Sequence, residues 1–199
     1  EPHWQVPVTI DEVEQPPKSL GDALLALLGH ANICSREPVI RQYDHEVQGG
    51  SVVKPLMGPE QTAPCDAAVI QPLLSEPAGL AVSNGMCPQL SDFDSHLMAI
   101  CAVDEAVRNA VCVGADPNSL ALLDNFCWPD PVASKSNPDG KRKLAQLVQA
   151  CEGLYEAVLA YNAPLISGKD SMKNDFDDGT VRISIPPTLL VSAIGKVPD

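Results

Sequence analysis

Aromatic side chains are scarce in this 199-residue chain: Phe, Tyr and Trp together make up 4% of it. Its core must therefore be assembled from Ala, Val, Leu and Ile, the bulk of the 45% of residues that are apolar. Basic residues are also few. Thirteen Lys and Arg stand against 26 Asp and Glu, a formal charge of -13, so a nucleic-acid backbone or an anionic membrane surface would be repelled. Cys-x-x-Cys spacing is missing, and the seven cysteines (Cys34, Cys65, Cys87, Cys101, Cys112, Cys127 and Cys151) are odd in number. Most lie in apolar runs such as AICAV and AVCVG. That is the pattern of reduced, buried thiols in a cytoplasmic protein, not of a disulfide frame or a zinc site. No secretory leader pattern opens the chain, and no apolar run is long enough to span a bilayer. It opens on Glu1 rather than Met, so a piece of a longer polypeptide is expected.

What is present falls into three stretches. Residues 1–18 are proline-rich and read as an extended linker; residues 19–60 read as a helical and loop lead-in; residues 61–199 read as the folded body. In the lead-in, SLGDALLALLG predicts a short helix capped by Ser19 or Asp22 and stopped by Gly29. SREPVIRQY predicts a second with Ser35 as cap. In the body, CDAAVIQPL and GLAVSN predict adjacent strands. Asp94 predicts the cap of a long helix that ends near Gly114. SLALLDNF predicts a buried strand, Lys141 to Tyr161 a second long helix, APLISG another strand, and TLLVSAIGKV the last. Asp178-Gly179 is a hairpin-turn signal. This order predicts an α+β, two-layer sandwich: a mixed sheet of four to five strands with both long helices on one face. The strands show little polar alternation, so the uncovered face is expected to be apolar and to need a partner, a second copy or another domain.

Glu105 and Asn109 are four apart in the first long helix and share one of its faces. A carboxylate and an amide in so apolar a helix want partners, whereas Asp104 is expected to be exposed. Asp66 begins an apolar strand, and Asp170 follows APLI in a Gly/Ser loop of the kind that turns backbone N–H groups toward an anion. It is no Walker loop, since the GxxxxGK[ST] spacing is absent. Alone, Asp66 reads as a strand-end aspartate and Asp170 as part of an ordinary turn. Together the four side chains offer hard oxygen and no imidazole or thiolate, a magnesium set. Magnesium would let an acidic domain hold ATP or ADP by bridging phosphate oxygens. Of His3, His30, His45 and His96, none has a partner at ligand spacing, and His45 in RQYDHEVQ reads as a loop-fixing residue.

The segments RQYDHEVQGGSVVKPL, CDAAVI, DEAVRN, LLDNF and SGKDSMKND, in this order, resemble phosphoribosylformylglycinamidine synthase over roughly residues 19–196. The resemblance implies an N-terminal-type domain, like that of aminoimidazole ribonucleotide synthetase, from the second of two paralogous halves. Such domains pair through their sheets. The implied reaction turns formylglycinamide ribonucleotide, ATP and glutamine into formylglycinamidine ribonucleotide in purine biosynthesis. By the same resemblance Asp66, Glu105, Asn109 and Asp170 correspond to metal ligands. Cys65, Ala67, Gly168 and Ser171 lie near the nucleotide. Asp124 and Lys169 stand beside it, Asp124 offset from a family aspartate and Lys169 where shorter members carry asparagine. No catalytic residue is implied: the family's histidine belongs to the other half, and no glutaminase cysteine motif is present. Expected partners are the sister domain, or a second copy in its place, and a glutaminase domain or subunit. Two alternatives remain: another synthetase of the same superfamily, against which YDHEVQ argues, and a non-catalytic assembly module.

Overall fold

The computed structural model describes residues 19–44 and 46–199. The expected linker over residues 1–18, together with His3 and His45, lies outside the described residues. The chain divides into two units at His45 and Glu46. In the smaller unit, Ser19 accepts from the Asp22 N–H at 3.2 Å and caps α1, Leu20–Leu28, which stops at Gly29 as predicted. The Ser35 hydroxyl accepts from Glu37 N–H at 3.2 Å ahead of α2, Glu37–Ile40, a single turn.

The larger unit is built on a six-stranded sheet. Its strands are β1 (Ser51–Val53), β4 (Ala67–Ile70), β5 (Gly79–Met86), β6 (Leu120–Cys127), β7 (Leu165–Ser171) and β10 (Thr188–Val197). Two small ribbons stand apart: β2 (Leu56–Met57) with β3 (Ala63–Pro64), and β8 (Phe176–Asp177) with β9 (Arg182–Ile183). The order across the sheet is β1-β4-β5-β10-β6-β7. Every neighbour is antiparallel except β6 and β7. These two are joined by α4, Gly140–Ala160, because parallel strands need a long crossover. The other long helix, α3, runs Ser95–Cys112. Asp94 caps it, its carboxylate accepting from Leu97 N–H at 2.9 Å. The α+β class and the mixed sheet are as predicted. The sixth strand, β1, is the addition, and it brings part of the expected lead-in into the folded body.

Small residues set how closely the layers approach. A β-carbon on Gly85 would lie 2.2 Å from Ala102 O and 2.6 Å from Ala106 N, so only glycine lets α3 rest on β5. A β-carbon on Gly153 would lie 2.3 Å from His96 O, which brings α4 equally close to α3. The core on this face is Ala99, Ala102, Val103, Ala106 and Ala110 of α3 against Ala81, Leu122, Leu189 and Val191, all buried. Ala150, Leu154 and Ala157 of α4 join it. Two of the few aromatics meet in the core: Phe126 and the fully buried Trp128 pack with centroids 5.8 Å apart. Trp128 Nε1 donates to Lys143 O at 2.9 Å, tying the end of β6 to α4.

Among the described residues of the larger unit, both long helices lie on this one face of the sheet, and no helix of the unit covers the other. Cross-strand register lines up Ala68, Val82, Ile194 and Ala121 in one row and Met86, Leu190 and Asn125 in another. Val82 is 41% exposed and Met86 49%, and Leu190, Ile194 and Leu123 are half-buried. This is the uncovered apolar face expected from strands without polar alternation.

All seven cysteines are free thiols, but none is buried: Cys112 and Cys151 are exposed and the other five half-buried. Apolar neighbours in sequence misled here, because on a helix they occupy a different face from the thiol. Asp104, expected to be exposed, is half-buried and ties α3 to α4. It accepts from Arg108 Nε at 2.6 Å and from the Tyr161 hydroxyl. Arg108 first, then Tyr161, hold its carboxyl below the usual range.

Candidate functional site

The side chains singled out from the sequence separate into two groups at opposite parts of the sheet. The first lies where β4 begins. Ala67, the first residue of β4, pairs with Ser83 of β5. Beyond that point main-chain groups of β5 are taken up by α3. Asn109 Nδ2 donates to Asn84 O at 3.0 Å, and Glu105 Oε2 accepts from Met86 N–H at 2.8 Å. The partners that an amide and a carboxylate require in this helix are thus main-chain groups of a neighbouring strand. Asp66, exposed, is the next residue out from the Ala67–Ser83 pair, on the side of Asn84, with Cys65 before it.

Both helix side chains are held with an oxygen to spare. Oε1 of Glu105 and Oδ1 of Asn109 accept no hydrogen bond among the described residues. They are two hard oxygen donors, a chemistry that fits a magnesium ion and suits zinc or copper poorly, and Asp66 stands just ahead of β4, the neighbouring strand. Sequence inspection missed Cys87, whose thiol lies 3.6 Å from the same Glu105 Oε2. Burial, followed by the Glu105 charge, pushes that thiol up to about 11. The residue sits 18 positions from Glu105, in what reads as a polar connection, so no periodicity links the two.

The second group lies on β6 and β7. Parallel register sets Asp124 beside Gly168, Asn125 beside Lys169, Phe126 beside Asp170 and Cys127 beside Ser171. The Asp124 carboxylate lies over Gly168, where a β-carbon would be 2.7 Å from Oδ1. Burial pushes the Asp124 carboxyl above the usual range, and Asp170 adds to the rise. On α4, Cys151 is exposed as a residue, yet partial enclosure of its sulfur, and then the Asp170 and Asp124 charges, raise the thiol. Lys169 Nζ donates to Ser171 Oγ.

Asp170 therefore does not join Asp66, Glu105 and Asn109. From β4 to β7 there are four strand-to-strand steps, about 19 Å along the sheet. Among the described residues no three Asp, Glu, His or Cys side chains gather to hold a metal ion. The physical reason is topological. β10, last in the sequence, inserts between β5 and β6 and carries β7 to the far edge. The same separation parts Cys65 and Ala67 from Asp124, Gly168, Lys169 and Ser171.

A third polar centre was not anticipated. Asp175, with 5% of its side chain exposed, accepts from Asp130 N–H at 3.1 Å, Arg182 at 3.0 Å, Ser184 Oγ at 3.0 Å and Ile185 N–H at 3.3 Å. Burial pushes its carboxyl up, but these donors outweigh it and leave it below the usual range. It pins the segment around β8 and β9 to the end of β6. Its donors come from residues up to 45 positions away, which no local pattern in the sequence connects.

Comparison with known proteins gives consistent matches. Residues 64–197 match the family described as AIR synthase related protein, N-terminal domain. Phosphoribosylformylglycinamidine synthase subunit PurL of Deinococcus radiodurans is 35% identical over 92% of this chain and 22% of its own length. The PurL subunit of Methanocaldococcus jannaschii is 34% identical over 92% of this chain and 23% of its own. Among solved structures, PurLQS from Thermotoga maritima superposes with a TM-score of 0.62 at 28% identity, over 82% of this chain and 24% of that one. T. maritima PurL complexed with ADP gives 0.60 at 29% identity, over 82% and 24%. The chain spans about a quarter of the length of these relatives.

Proposed function

Residues 64–197 make the chain a member of the family of AIR synthase related proteins, N-terminal domain, and from that membership we propose that it serves in a phosphoribosylformylglycinamidine synthase as the N-terminal-type domain of the second half. Its proposed work is to hold a magnesium nucleotide, ATP or ADP, and to pair with a sister domain, in the cytoplasm. The whole enzyme is proposed to join glutamine-derived ammonia to formylglycinamide ribonucleotide at the expense of ATP in purine biosynthesis, with a glutaminase domain or subunit supplying the ammonia.

The observation that carries this reading is the corner at the start of β4, where α3 fixes Glu105 and Asn109 on β5 and leaves one oxygen of each without a donor among the described residues, with Asp66 the next residue out on the neighbouring strand. These three residues are the proposed cation ligands, with Cys65 and Ala67 next to the nucleotide. A bound magnesium ion would neutralise phosphate charge that a protein of net charge -13 otherwise repels. Glu105 and Asn109 orient, and Asp66 supplies charge. Asp124, Gly168, Lys169, Asp170 and Ser171 are no part of this proposed site, because they stand at the other edge.

Calorimetry with Mg-ADP and Mg-ATP, on wild type and Asp66→Ala, tests the proposal. Metal-dependent heat that Asp66→Ala abolishes is expected. Its absence from the wild type would leave the assembly module as the better reading. That second reading has its own support in the uncovered row of Val82, Ile194 and Ala121.

A further inference from the structure

We infer that Cys87 is a positioning residue for the proposed cation corner, and that it makes this corner select magnesium over calcium. The inference rests on the reading of that corner as a cation site. Cys87 directly follows β5, and its thiol and the Met86 N–H both meet the same atom, Glu105 Oε2, at 3.6 Å and 2.8 Å. A single donor lets a carboxylate pivot about one hydrogen bond. Two donors from consecutive residues fix its plane, and they do so by occupying the oxygen that faces the strand.

The consequence is a count of available oxygens. With Oε2 engaged twice, Glu105 has Oε1 alone to offer. Asn109 is restricted in the same way, because its Nδ2 is committed to Asn84 O and only Oδ1 remains. Two single-oxygen ligands held by main-chain anchors suit a small ion that keeps much of its water and demands short octahedral contacts. Calcium gathers six to eight oxygens and commonly takes a carboxylate through both of its oxygens. To do that here it must displace the thiol and the amide from Oε2. Cys87 touches neither the ion nor the nucleotide; it acts through Glu105, as outer partners of metal ligands do.

The test uses the full-length enzyme chain and two probes, Mg²⁺ and Ca²⁺, titrated by calorimetry in the presence of ADP, taking only the heat that Asp66→Ala removes. Wild type is expected to prefer magnesium. Cys87→Ala is expected to weaken magnesium by about tenfold and to tighten calcium, which then has one donor fewer to displace, and Cys87→Ser, whose hydroxyl still donates, to keep the wild-type ratio. A Cys87→Ala protein with the wild-type magnesium-to-calcium ratio overturns the inference while the cation site stands. A wild type without Asp66-dependent heat removes both. The infrared S–H stretch of Cys87, assigned among the seven free thiols as the band that Cys87→Ser removes from the difference spectrum, reads the contact directly. In wild type loaded with Mg-ADP it is expected at a hydrogen-bonded frequency, and a free-thiol frequency there overturns the inference.

Discussion

The carboxylate of Asp124 rests on Gly168, so near that a β-carbon on the glycine would come within 2.7 Å of one carboxylate oxygen and 3.1 Å of the other. An alanine there has to push the tip of that side chain aside, with no main-chain atom in its way. Gly168→Ala is expected to destabilise the domain by about 1 kcal/mol or less. The double variant Gly168→Ala with Asp124→Ala is expected to recover most of that loss, a coupling that a urea-unfolding double-mutant cycle reads directly.

Asp124 itself is expected to cost stability at neutral pH. Its folded carboxyl titrates above the usual range, mainly through burial. The unfolded chain therefore ionises more readily than the folded one. The cost is full above the raised folded value and disappears as pH falls through the ordinary carboxylate range, where both states are protonated. Asp124→Asn is thus expected to be more stable than wild type at pH 7 and no different at pH 3, as thermal unfolding at the two pH values would report.

Asp175 has the opposite sign. Its four donors hold the folded carboxyl below the usual range, so it stabilises the fold at all pH values above the ordinary carboxylate range. That contribution is lost as pH falls through the depressed folded value. Asp175→Asn turns an amide nitrogen toward donors and is expected to cost about 2 kcal/mol at pH 7. Unfolding measured down to acid pH should show the gap between wild type and variant closing below pH 4.

At the seam between α3 and β5, Gly85→Ala has no side-chain route of relief, since the obstructing atoms are the main-chain oxygen of Ala102 and nitrogen of Ala106. A loss of about 3 kcal/mol or more is expected in chemical unfolding.

The uncovered sheet face gives a test that does not depend on any ligand. Val82→Glu places a charge in the row shared with Ile194 and Ala121. Because Val82 is already 41% exposed, the change should alter stability by less than about 1 kcal/mol. If the face pairs two domains, sedimentation should show the variant shifted to monomer while its unfolding midpoint stays close to wild type.

Much of the fold could be read along the chain. Asp94 as a cap, Gly114 past the end of α3, and the runs SLALLDNF and TLLVSAIGKV mark local events, and the structure places them where local rules predict. β1, three residues between a glycine pair and Lys54, was legible only as one short strand somewhere in the loop GGSVVKPLMGPEQTAP. The candidate site was legible only where one helix carried it. Glu105 and Asn109 share a face by periodicity, and both do reach the same strand end. Asp170 was misplaced because the order of strands in a sheet is not the order in sequence. Nothing local announces that the last strand will enter the middle. Cys87 and Asp175 escaped notice for a related reason: their partners come from across the fold.

The alanine and glycine seam under α3 makes the effects of substitution lopsided. Ala102, Ala106 and Ala110 are wholly enclosed, and almost every replacement at these positions is larger than what it replaces. Voids are thus a minor hazard for this interface, and crowding is the main one. Crowding lifts the helix from the sheet, and Glu105 and Asn109 ride on that helix. A fault among featureless methyl groups would therefore surface as misaligned oxygens at the corner several ångströms away, in variants that still fold.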